Sequence, residues 1–152
     1  MPSSARVLAL RLLSRRDYTT AELRAKLLSR EYPHDEIDEA LRRLTAEGLL
    51  DDRRAAVSHV RRASGVKGRG RHRIERELES RGIDRTTARE LAGSLPAADE
   101  TAAIERFLAR KRLTPPLSSA DRRRVFQQLL RRGFPADAIA RALRSPAHDE
   151  ET

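Results

Sequence analysis

The feature that most constrains this chain is an internal repeat. Shifting the sequence by 51 residues brings six apolar triples into register. They are Leu23/Ile74/Val125, Leu27/Leu78/Leu129, Tyr32/Ile83/Phe134, Ile37/Ala88/Ile139, Ala40/Leu91/Ala142 and Leu41/Ala92/Leu143. With 38% apolar residues, a random triple is all-apolar roughly 5% of the time, so a window of about 22 positions should hold about one. Arg30/Arg81/Arg132 also align, as do Gly82 and Gly133, where the first copy has Glu31. Within each copy the spacing is helical, and the Gly falls where a helix C-terminus needs a left-handed residue. A further stripe precedes each helix pair: Ala5, Leu8, Ala9 and Leu12; then Ala56, Val60 and Ala63; then Ile104, Phe107 and Leu108, displaced by the insertion 113–119.

These stripes predict an all-α chain of three tandem three-helix, helix-turn-helix-like repeats, at 1–50, 51–95 and 96–145, with an acidic flexible tail at 146–152. Composition agrees: 22 Ala and 20 Leu favour helix, and only 3% of residues are aromatic. Each helix is near or below the length that stands alone in water. Neighbouring units should therefore lean on one another and make an elongated, curved molecule. Thr19-Thr20-Ala21-Glu22 reads as a capping box. Asp51-Asp52 should cap the helix that follows them, Asp84 should open another, and Pro135 should take the equivalent place in the third copy, where its fixed φ suits a helix start.

Several chemistries are excluded. With no cysteine there is no disulfide framework, thiol catalysis or Cys-bearing zinc finger. His34, His59, His72 and His148 make no i, i+3 or i+4 pair, so no metal or cofactor is expected; His59 reads as a packing residue. No G-x-S-x-G or apolar carboxylate pair marks an enzyme. Gly65–Gly70 is Gly-rich and basic but lacks the Walker pattern, and reads as a flexible basic loop. No apolar run approaches a membrane span. The first residues read as an amphipathic helix and not a signal peptide, and the expectation is a cytoplasmic monomer.

Charge supplies the functional lead. The net +9 is uneven: residues 1–52 sum to −1 and 77–152 to +2, while 53–76 carry nine basic residues and one acidic. The nine are Arg53, Arg54, Arg61, Arg62, Lys67, Arg69, Arg71, Arg73 and Arg76. Codon bias accounts for 29 Arg against 3 Lys but not for their clustering. Such a segment is the footprint of a polyanion or acidic-protein contact. A helix-turn-helix transcription regulator or a non-specific DNA-binding protein would share it. The stretch 19–50 is winged-helix-like, yet Asp51 onward reads as helix where a wing would need strands.

Four segments, in order, carry a resemblance. They are Ala9–Leu23, Gly48–Ala56, Lys67-Gly68 followed by Arg73–Ile83, and Leu130–Phe134. Together they resemble the RecX family of regulatory proteins over nearly the whole chain. The departures are Glu31-Tyr32, where the family pattern has Gly plus an apolar residue, and Ala55-Ala56, where it often has an aromatic before Ala. The resemblance implies three helical units and no catalytic residues. It implies a partner, the RecA recombinase, with binding along the RecA–single-stranded DNA filament and possible direct DNA contact. The implied outcome is inhibited ATPase, co-protease and strand-exchange activity, hence restraint of homologous recombination and the SOS response in DNA repair. On this reading the nine basic residues contact filament phosphates or acidic RecA side chains.

Overall fold

A computed structural model describes residues 3–65 and 67–144. The expected acidic tail at 146–152 lies outside the described residues. Those described form nine α-helices and no strand: α1 Ala5–Leu13, α2 Thr20–Ser29, α3 His34–Ala46, α4 Asp52–Gly65, α5 Arg71–Ser80, α6 Arg85–Gly93, α7 Ala97–Arg110, α8 Ser119–Arg131 and α9 Ala136–Leu143.

Local chemistry sets the helix starts. Ser4, Thr19, Asp84 and Ser118 each accept a first-turn N–H with their side chain. Thr19 and Glu22 complete the capping box in both directions. Asp51 accepts the Arg54 N–H at 3.0 Å and caps α4 as expected. Asp52 does something else: its Oδ1 accepts both the N–H and the hydroxyl of Thr20, 2.7 and 2.9 Å away. Pro135 takes the place equivalent to Asp84, at the N-cap of α9 with ψ 144°.

The apolar residues form three cores in series. Leu23, Leu27, Ile37, Leu41 and Leu44 close the first with Ala5 and Ala9. Ile74, Leu78, Ala88 and Leu91 close the second with Ala56, Val60 and Ala63. Ile104, Phe107, Val125, Leu129, Phe134 and Ile139 close the third. Of the six repeated triples, every member is buried except Tyr32 and Ala142. Tyr32 is half-buried because its hydroxyl reaches out to donate to the Ser3 carbonyl at 2.6 Å. Among the described residues, no hydrogen bond joins the first core's helices to the third's.

The same joint links both neighbouring pairs. The turn that ends α5 docks on the start of α2: the Thr19 hydroxyl donates to the Arg81 carbonyl, and Glu22 Oε1 accepts from Arg81 Nε at 2.9 Å. One repeat later the turn that ends α8 docks on the start of α5. Gly70 N–H donates to the Arg132 carbonyl at 2.8 Å, and His72 N–H to the Gly133 carbonyl at 3.0 Å. Gly82 and Gly133 have φ of 87° and 95°. A Cβ on Gly82 would lie 2.3 Å from that of Ala21, and one on Gly133 would lie 2.4 Å from that of Arg73. Glycine is therefore required twice over, by backbone conformation and by close approach.

This joint explains the departure at Glu31. Glu31 holds the equivalent position with φ 62°, but its side chain is exposed and makes no hydrogen bond or ion pair among the described residues, so only the conformational cost remains. In the third unit α8 begins a turn early. Asp121, which aligns with Thr19 and Gly70, already lies inside the helix capped by Ser118. The positions at Glu31 and Asp121 thus differ from the joints made at Gly82 and Gly133.

Candidate functional site

The nine basic residues divide into two groups. Five are engaged within the fold. Arg54 clasps the connection into α4: its guanidinium donates to the Gly48 and Leu49 carbonyls, each at 3.1 Å, and its Nε lies 3.3 Å from Asp17 Oδ1. Arg53 pairs with Glu90 at 3.0 Å. Arg69 and Arg73 both donate to Glu77 Oε1, at 2.7 and 3.1 Å. Arg71 faces the buried Glu100 at 3.8 Å. The other four, Arg61, Arg62, Lys67 and Arg76, are exposed and make no ion pair among the described residues.

Glu77 is the centre of a partly buried network. Its Oε2 lies 2.7 Å from His59 Nε2. Burial pushes the Glu77 carboxyl up, but hydrogen bonds from Arg69, His59 and Arg73 outweigh it and hold the group below its ordinary value. Burial pushes the His59 imidazole down, and the Arg81 and Lys67 charges push the same way against the pull of Glu77. Neutral His59 then donates its Nε2–H to the Glu77 carboxylate. His59 is thus a hydrogen-bonding tie between α4 and α5 within the middle unit as well as a packing residue.

Within the stretch expected to be a basic loop, residues 67–70 pack against the last unit. Gly68 and Gly70 are buried, and a Cβ on Gly70 would fall 2.3 Å from the backbone of Gly133. The run of glycines lets this segment form the joint to the last unit. Reversing the charge of Arg69 or Arg73 would break Glu77's support and so test the fold before any contact.

Two of the free arginines, Arg61 and Arg62, lie where the first two units meet. Arg15, Arg16, Asp17, Ser58, Arg61 and Arg62 line an open cleft of about 390 Å³. Asp17 is neutralised there by Arg54 and accepts from the Ser58 hydroxyl at 3.3 Å. Arg16 is held over the Tyr18 ring, 3.7 Å from its centroid, and bonded to Glu22 at 3.0 Å. Arg15, Arg61 and Arg62 are left pointing outward without partners among the described residues. Sequence reasoning missed Arg15, because the near-neutral sum over 1–52 hid two adjacent arginines at a helix end. Among the described residues no acidic or histidine cluster could hold a metal, and no helix is long and apolar enough to cross a membrane.

Comparisons with known proteins follow this geometry. The family model described as RecX, first three-helix domain, matches residues 5–44, and RecX, second three-helix domain, matches 51–91. The regulatory protein RecX of Mycobacterium ulcerans is 36% identical over 133 residues, covering 86% of this chain and 77% of that one. That of Trichlorobacter lovleyi is 35% identical over 145 residues, covering 91% and 92%. The crystal structure of RecX from Lactobacillus salivarius superposes with a TM-score of 0.78 at 25% identity, covering 91% of each chain. These relatives are named as regulators, not as enzymes. With both helical domains matched and the likeness running across nearly its whole length, the chain belongs to the RecX family of regulatory proteins.

Proposed function

We propose that this protein binds the RecA recombinase and its filament on single-stranded DNA. There it restrains filament growth and inhibits ATPase, co-protease and strand-exchange activity, holding back recombination and the SOS response. Family membership supports the partner. The observation that carries the contact is the cleft at the joint of the first two units, where Arg15, Arg61 and Arg62 are exposed without ion pairs among the described residues. Arginines left unpaired, Arg61 and Arg62 on α4 and Arg15 in the turn after α1, keep their fork geometry for carboxylate or phosphate. Lys67 and Arg76 add charge on the middle unit, while Arg53, Arg54, Arg69, Arg71 and Arg73 serve the contact indirectly, by holding α4 and α5 in place. The division into units at 1–50, 51–95 and 96–145 belongs to the same proposal: units in series let one chain touch successive protomers, and a ligand spanning them fixes one filament state.

The test is RecA ATPase on single-stranded DNA, titrated with this protein. Inhibition well below one molecule per protomer supports action on the filament. Inhibition only near saturation of the strand favours competition for DNA, and no inhibition at any ratio overturns the reading.

A further inference from the structure

Arg61 borders two surfaces. On one side lies the basic cleft with Arg15 and Arg62. On the other, between α4, α6 and the start of α7, lies a notch of about 230 Å³ whose apolar walls are Val57, Val60, Leu91 and Leu95. Val57 and Leu95 are only partly buried, so aliphatic surface remains open at the rim. Asp99 is the one acidic residue among those that line the notch.

We propose that this composite surface seats a protein segment in which a large apolar side chain is flanked, on one side only, by carboxylates. The inference rests on the filament reading above and names which filament component the site takes: protein, not nucleic acid. The apolar side chain fills the notch. The carboxylates extend over Arg61 toward Arg62 and Arg15, where each guanidinium can pair with them. An acidic residue placed beside Asp99 would meet a like charge, so the carboxylates belong on the Arg61 side.

A phosphodiester strand matches this surface poorly. It supplies regular negative charge but no aliphatic group for the notch. Single strands gain much of their affinity by stacking bases on exposed aromatic rings, and none lines either surface. Tyr18, the nearest ring, is 8% exposed and covered by Arg16. Charge alone would hold a nucleic acid there, and the notch would stay empty.

Two variants probe the notch without touching the arginines. Val57→Ser removes a wall, and Ser94→Phe plugs the rim from an exposed position. Each is titrated against RecA filaments assembled on oligo(dT), and separately against oligo(dT) alone, with circular dichroism to check the helices. We expect both to weaken filament binding at least tenfold while leaving oligo(dT) binding within twofold. Arg61→Ala with Arg62→Ala should weaken filament binding as well. If Ser94→Phe and Val57→Ser bind filaments as tightly as the wild type, the notch is unused and the site takes nucleic-acid phosphate; the filament reading survives that outcome. If the wild type binds no filament, both readings fall.

Discussion

Gly82→Ala tests the joint, on which the arrangement of the basic cleft depends. The substitution adds one carbon at φ 87°, 2.3 Å from the Ala21 Cβ. Holding a non-glycine residue left-handed costs about 1–2 kcal/mol, and the steric overlap adds about 1–3 kcal/mol. The sum is about 2–5 kcal/mol, a large share of the roughly 5–15 kcal/mol that holds a typical domain together. At about 2 kcal/mol/M the urea midpoint should fall by about 1–2.5 M, followed by circular dichroism. A double-mutant cycle separates the two contributions. Ala21→Gly removes the atom the new methyl strikes, so the double variant should recover about 1–3 kcal/mol beyond additivity, the conformational cost remaining. Glu31→Ala is the internal control: it lies at the equivalent position with an exposed side chain, so its stability should change by less than about 0.5 kcal/mol. If Gly82→Ala and Ala21→Gly add without coupling, the turn does not rest on α2 and the account of the joint is wrong.

Other predictions concern charge and pH. Because native His59 binds its proton less readily than the unfolded chain, its contribution is complete above the ordinary imidazole value near 6.5 and is lost as pH falls below it. Glu77 is held below its ordinary value of 4.5, so its contribution is present above that pH and is lost as pH falls further. The Tm should therefore decline in two stages on acidification, and His59→Gln should remove the first; an unchanged first stage would refute the assignment. Arg69→Ala should destabilise by about 1.5–3 kcal/mol through loss of a charged hydrogen bond, whereas Arg61→Ala and Arg62→Ala should stay within about 0.5 kcal/mol in the same denaturation assay. Thr19→Val removes both the α2 cap and the hydroxyl that reaches Arg81, and should cost about 1–3 kcal/mol. Binding to the filament should weaken steeply between low and moderate salt if the contact is ionic; a flat response would contradict it.

The helices and their cores were legible because burial and helical spacing are local properties. Leu23, Ile74 and Val125 declare their role by spacing alone. The anomaly at Glu31 was visible too, but its cause was not, since the reason Gly82 must be glycine lies in Ala21. The basic segment was found as a cluster, yet its division was hidden. Arg53 meets Glu90 and Arg54 meets Asp17, each 37 residues away, and no local pattern announces such pairs. The same blindness hid the partners of Gly70, which are Arg132 and Gly133. Arg15 escaped because summing charge along the chain cannot show that two helix ends converge in space.

The central claim is that exposed arginines at the joint of the first two units restrain RecA. The most direct measurement is inhibition of RecA ATPase on single-stranded DNA by the double variant Arg61→Glu/Arg62→Glu, beside the wild type and with helicity and urea midpoint checked. Inhibition lost in a variant as stable as the wild type is the predicted result. Full inhibition by that variant would contradict the account.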